Sequence, residues 1–175
     1  MRRFLLVDDE INVLHALQRS MRQLLRIDDL HIELFTSAAA ALARCCECQF
    51  DLVISDQRMP KMRGVEFLNI MKDVAPTTVR MMLTASTEFD TAVGAINDAQ
   101  VFRLIPKPWQ PGELRDTIRL ALQQRDRLVE AQRLFDEAQQ KQAGLTAQER
   151  EARRLEEEEP GILKVKWGPD GSIIL

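Results

Sequence analysis

Four short apolar runs in this chain end against polar groups, and that punctuation constrains the fold more than any other feature. Phe4, Leu5, Leu6 and Val7 stop at Asp8-Asp9; Leu52, Val53 and Ile54 stop at Ser55-Asp56; residues 79–83 stop at Thr84; and residues 101–105 stop just before Pro106-Lys107. A further candidate strand, residues 31–35, alternates Ile32 and Leu34 with His31 and Glu33. Apolar runs without alternation are what strands buried on both faces require. Between them lie helical spacings: Leu14, Leu17, Met21, Leu24 and Leu25; the Ala-rich residues 38–43; Val65, Phe67, Leu68 and Met71; and Ala92, Val93, Ala95 and Ile96. Strands alternating with helices imply an α/β fold, a parallel sheet with helices on both faces.

Composition acts mainly by exclusion. The 175 residues carry a formal charge of −3, which weighs against a nucleic-acid partner, whose binding face is usually basic. Met1-Arg2-Arg3 is followed by only four apolar residues, too few for a secretory signal, and no apolar run is long enough to span a membrane. A cytoplasmic protein with no membrane partner is expected. Cys45, Cys46 and Cys48 are bunched, and His15 and His31 lie apart from them. That spacing provides neither a zinc site nor a disulfide framework, so free thiols are expected.

After residue 110 the character changes. Pro111 suits the first turn of a helix, with Glu113 just inside it. From there to about Glu158 there is no further proline, and the only glycine past that first turn is Gly144. Leu128, Ala131, Phe135, Ala138 and Leu145 follow a three–four spacing, which predicts a coiled coil and a homodimer through this helix; Gln142 and Glu149 would interrupt the seam. A solvated single helix is the alternative. The acidic residues 156–159 and Pro160-Gly161 end it, and Leu163, Val165 and Trp167, alternating with Lys164 and Lys166 before Gly168-Pro169-Asp170-Gly171, predict a terminal β-hairpin. The expected divisions are residues 1–122, a helical stalk over 123–159 and a hairpin tail over 160–175.

In an open α/β sheet, ligands bind at the carboxyl ends of the strands. Asp8, Asp9, Asp56, Thr84 and Lys107 all fall there. Three carboxylates at one edge stay ionised together only if a cation offsets them, and hard oxygen donors favour Mg²⁺. Such a site suits phosphoryl transfer, which is mostly positioning and charge compensation, with a carboxylate as nucleophile. Lys107 can pair with phosphate oxygens and Thr84 can donate a hydrogen bond to them. Each group alone has a plainer explanation: Asp8-Asp9 as helix-starting residues, Thr84 as a cap, Lys107 as a surface lysine. The joint placement, one group per strand end, favours chemistry.

The segment from Leu52 through Asp56 to Pro60, followed by Met62 and Gly64, resembles the phosphoacceptor region of response-regulator receiver domains; Leu83-Thr84-Ala85 and Lys107-Pro108 resemble the family's other signatures. The likeness covers about residues 1–122. It implies the flavodoxin-like doubly wound five-stranded sheet of order 2-1-3-4-5, followed here by the extended C-terminal helix and hairpin. It implies that Asp56 accepts a phosphoryl group from a sensor histidine kinase and that Thr84 and Lys107 contact it. Asp9, Asp56 and the main-chain carbonyl of Arg58 would hold Mg²⁺, with Asp8 acting through the metal's waters, and Lys107-Pro108 would be cis. The chain would be a phosphoacceptor rather than an enzyme, slow self-dephosphorylation apart. Leu104 stands where the family usually has the aromatic of its switch, with Phe102 two residues earlier; Arg63 replaces a common acidic residue, and Pro106 is unusual. The context around Val101-Phe102-Arg103 and Lys107-Pro108-Trp109 resembles receivers fused to cyclic-dinucleotide phosphodiesterase or transcription-activator outputs. The downstream partner, or a missing output domain, is not named by these residues.

Two other functions compete. A constitutive coiled-coil scaffold with a vestigial pocket would fit the missing switch aromatic. An aspartyl phosphatase would need a second carboxylate two residues after its nucleophile, where this chain has Arg58.

Overall fold

The side chains of β1 (Arg2–Val7) alternate across the sheet: Phe4 and Leu6 enter one buried cluster, Leu5 and Val7 another. This computed structural model describes residues 1–85, 99–143, 147–158, 166–167 and 173–174. β1 lies between β2 (Leu30–Phe35) and β3 (Leu52–Asp56), and β4 (Val79–Ala85) and β5 (Arg103–Lys107) follow, giving a parallel sheet of order β2-β1-β3-β4-β5. That is the doubly wound order that the resemblance to receiver domains implies.

One face of the sheet is covered by α1 (Ile11–Leu25) and the first part of α4 (Pro111–Ala143). Leu14, Leu17, Met21 and Leu25 meet Leu114, Ile118 and Ala121 over Phe4, Leu6, Ile54, Met81 and Leu83. The other is covered by α2 (Ala38–Glu47) and α3 (Gly64–Val74), whose Ala41, Cys45, Phe67, Leu68 and Met71 pack on Leu5, Val7, Val53 and Met82. Fully burying one such large side chain contributes roughly 1.5–3 kcal/mol, so the two clusters are what hold the layers together. Ser37 caps α2, its hydroxyl accepting from the Ala40 amide at 3.4 Å.

The fifth strand differs from expectation. It starts at Arg103 and includes Lys107, two residues later than the apolar run suggests. Gln100 adopts a left-handed conformation (φ 48°), and Val101 is buried among the α2–α3 cluster instead of joining the ladder. Pro106 sits within β5 opposite Thr84, which is tolerated because β5 is an edge strand. The Lys107–Pro108 peptide is cis.

At the opposite edge from the strand ends, Arg2 donates to both carboxylate oxygens of Asp126 in α4 at 2.9 Å and to Asp51 at 3.2 Å, beside Arg125. The chain divides into two units, Met1–Val129 and Glu130–Leu175. In the second, α4 runs to Ala143, α5 spans Ala147–Glu158, and β6 (Lys166–Trp167) pairs antiparallel with β7 (Ile173–Ile174). Ala131, Phe135 and Ala138 of the expected seam are exposed, whereas Leu128, in the first unit, packs against the α1–α4 cluster. The expected helix at Ala92–Ile96, Gly144, Leu145, and most of the predicted hairpin (Pro160-Gly161, Leu163, Val165 and the turn at 168–171) lie outside the described residues. No described helix is long and apolar enough to cross a membrane.

Candidate functional site

Parallel pairing brings the carboxyl ends of β1, β3, β4 and β5 to one edge. The register sets Val7 beside Ser55, Asp56 beside Leu83, and Ala85 beside Lys107. Asp8, directly after β1, is fully buried; its Oδ1 accepts from the Glu10 amide at 2.9 Å, a local turn that leads into α1. Asp56, at the end of β3, is 8% exposed and its Oδ2 accepts from the Arg58 amide at 2.7 Å.

Lys107 joins the two. Its Nζ lies 2.7 Å from Asp8 Oδ2 and 2.5 Å from Asp56 Oδ1. Burial pushes the Asp8 carboxyl above its ordinary range, against the opposing pull of Lys107 and the Glu10 amide. Burial also works against the Lys107 ammonium, but its bonds to Asp56 and Asp8 outweigh it and leave the lysine above its ordinary value. Two acidic groups and one cation thus share a partly dry site, where removing Lys107 would leave two carboxylates without their cation.

An open cavity of about 260 Å³ adjoins this cluster, lined by Asp9, Glu10, Asp56, Gln57, Arg58, Ala85 and Lys107. Its oxygen-rich lining suits a hard cation such as Mg²⁺ better than a thiolate- or imidazole-seeking metal. Among the described residues no three acidic, histidine or cysteine side chains gather into a ready-made metal cage. At Asp8 and Asp56 the ammonium of Lys107 bridges the two carboxylates. Asp9 is exposed and lines the cavity from the side, so the residues fit a cation held by few protein oxygens and several waters.

Thr84 is fully buried. Its hydroxyl donates to Gln57 Oε1 at 2.6 Å, with the Ala85 carbonyl 3.2 Å away as a second acceptor. The structure therefore brings Asp8, Asp56 and Lys107 into contact, places Asp9 and Arg58 around the same cavity, and turns Thr84 toward Gln57. Gln57 and Glu10 were not singled out from the sequence. Gln57 stands immediately after Asp56, yet nothing in the order of residues shows that its amide reaches across to β4.

Gly64 starts α3 against the back of the site. A Cβ there would lie 2.0 Å from the Asp56 carbonyl oxygen and 3.1 Å from Gln57 Cα. Only glycine allows this approach. The Gly64 amide donates to the Gln57 carbonyl at 3.0 Å, and the Gln57 amide donates to Leu83 at 3.0 Å, so the segment after Asp56 is tied on both sides.

The cysteines of α2 are free: Cys45 is buried, Cys46 exposed and Cys48 intermediate. Burial, with the neighbouring Cys48 and Cys46, pushes the Cys45 thiol up to about 12.

Comparison with known proteins identifies the chain's family. The family described as "Response regulator receiver domain" matches residues 4–119. The hydrogenase transcriptional regulatory protein HoxA of Cupriavidus necator is 33% identical over 119 residues, 68% of this chain and 24% of that protein. The response regulator protein PilR of Pseudomonas aeruginosa is 30% identical over 122 residues, 70% of this chain and 26% of that protein. This chain thus spans about a quarter of the length of those relatives. Among solved structures, the signal receiver domain of an HD domain-containing protein from Pseudomonas fluorescens Pf-5 superposes with a TM-score of 0.67 at 29% identity, covering 74% of this chain and 92% of that one.

Proposed function

The chain belongs to the response-regulator receiver family, and on that premise we propose that it is a phosphorylation-dependent switch whose acceptor is Asp56. The observation that carries this reading is the meeting of Lys107 with Asp56 and Asp8 at the ends of three different strands, beside an open cavity. An Asp56 carboxylate oxygen forms a bond to phosphorus as the bond to the donor breaks, the donor being a phosphohistidine of a sensor kinase. Lys107 then pairs with phosphoryl oxygens, and Thr84 donates to another. Mg²⁺, held by Asp9, Asp56 and the Arg58 carbonyl with Asp8 acting through its waters, supplies neutralising charge when bound.

The phosphoryl group adds roughly two negative charges to a site already tied to β4 and β5. Movement of Thr84 toward it shifts a two-state population, and the signal passes to α4. Leu134 and Phe135 of α4 are 52% and 58% exposed, apolar area that a second copy of the helix would cover, as in a coiled-coil homodimer. The activity of the longer relatives suggests an output on a separate domain or partner, and the cytoplasm as the compartment where kinase and receiver meet.

Asp56→Asn tests the assignment. Incubation with labelled acetyl phosphate and Mg²⁺ should modify the wild-type chain and leave the variant unmodified. Labelling retained in Asp56→Asn removes Asp56 as the acceptor.

A further inference from the structure

The Thr84 hydroxyl has one proton to give, and in this structure it goes to Gln57. The Oγ1–Oε1 separation of 2.6 Å is short even for a hydroxyl donor, while the alternative acceptor, the Ala85 carbonyl, lies at 3.2 Å. Thr84 is fully buried, so no bulk water replaces a lost partner cheaply.

Gln57 is also held ready for this contact. Its amide donates to Leu83 and its carbonyl accepts from Gly64, both at 3.0 Å, so its backbone is fixed independently of its side chain. It lines the same cavity as Asp56, Ala85 and Lys107. A phosphoryl group on Asp56 therefore arrives where the hydroxyl that should meet it is already committed.

We infer that Gln57 is a positioning residue that competes with the phosphoryl group for the Thr84 hydroxyl and so biases the receiver toward its unphosphorylated state. The inference rests on the reading that Asp56 is the acceptor and Thr84 a phosphoryl contact. Activation exchanges the Thr84–Gln57 hydrogen bond for a Thr84–phosphoryl one. Removing the acceptor amide from Gln57 removes the competitor without touching the acceptor aspartate, the lysine or the metal ligands.

The test is calorimetric titration of the full chain with beryllofluoride and Mg²⁺, beryllofluoride standing in for the phosphoryl group. Gln57→Met keeps the side-chain length and deletes the acceptor; it should bind roughly three- to tenfold tighter than wild type, the worth of one hydrogen bond. Gln57→Ala should move the same way, which guards against a packing effect peculiar to methionine. Gln57→Glu, which keeps an acceptor and adds a charge, should bind no tighter than wild type. In a Thr84→Ala background Gln57→Met should change nothing. Equal or weaker binding by both folded Gln57→Met and Gln57→Ala overturns the inference, as does a gain that survives in Thr84→Ala. A failure of the underlying reading looks different: the wild type shows no saturable binding, or Asp56→Asn binds as well as wild type, and premise and inference then fall together.

Discussion

Replacing Gly64 by alanine sets two effects of opposite sign against each other. Alanine is favoured over glycine inside a helix by up to about 1 kcal/mol. Against that, the new Cβ would sit 2.0 Å from the Asp56 carbonyl oxygen, where real Cβ atoms essentially never come within 3.0 Å, so the backbones must separate by at least about 1 Å. The Asp56 carbonyl is not free to retreat, since Ser55 Oγ donates to it at 3.0 Å. Moving the start of α3 instead breaks the 3.0 Å bond from the Gly64 amide to Gln57. Overpacking costs typically 1–3 kcal/mol and a lost hydrogen bond about 1, so the net destabilisation should be about 1–3 kcal/mol after the helix-propensity gain. Gly112, also in the first turn of a helix, supplies the control: nothing lies within 4 Å of its missing Cβ. Gly112→Ala should therefore be neutral or stabilising by a few tenths of a kcal/mol to about 1. Urea unfolding followed by circular dichroism, with the slope unchanged, reads both variants. Acetyl-phosphate labelling of Gly64→Ala should also fall, because the displaced atoms belong to Asp56, the proposed acceptor. If Gly64→Ala unfolds at the same urea concentration as Gly112→Ala, the steric argument is wrong.

Three further outcomes are expected. The Cys45 thiol is buried and pushed up to about 12, whereas Cys46 is exposed, so iodoacetamide at pH 8 should modify Cys46 in the native chain and reach Cys45 only on unfolding; peptide mapping showing Cys45 modified first would contradict this. Glu33, bonded to Arg44 at 2.8 Å and Arg3 at 2.7 Å, is held below its ordinary value near 4.5, chiefly by Arg44. Because the folded-state value lies below the unfolded one, the stabilisation is fully present above about 4.5 and is lost as pH falls from there through the lowered value, so Glu33→Gln should lose less stability than wild type on acidification below about 4.5, and parallel acid-unfolding curves would argue otherwise. Trp109 donates to Ser20 Oγ at 3.2 Å, joining the segment after β5 to α1; Ser20→Ala should cost about 1 kcal/mol in urea unfolding, and an unchanged midpoint would show the contact to be idle.

Much of the receiver was legible in the residue order because the signals are local. Unalternating apolar runs mark strands buried twice, and the burial of Phe4 through Val7 and of Leu52 through Ile54 matches them. Helical spacing placed Leu14, Leu17 and Met21 on the covered face of α1. The polar residues that stop each run fall at the same edge of a parallel sheet for the same reason, and the resemblance to receivers attached roles to them. The start of β5 was misplaced because Val101 is as apolar as a strand residue; only the left-handed turn at Gln100 and the packing of Val101 on the α2–α3 cluster show that it precedes the ladder.

Hydrophobic period and chain punctuation thus determined the number of layers, the parallel sheet and the edge where Asp8, Asp56, Thr84 and Lys107 gather. The tertiary structure alone decided which groups touch there: Lys107 between Asp8 and Asp56, Thr84 on Gln57, and a helix start pressed on the Asp56 carbonyl. Period and punctuation are properties of neighbours along the chain. A contact of 3 Å between residues tens of positions apart depends on strand register and side-chain direction, which exist only once the sheet has formed.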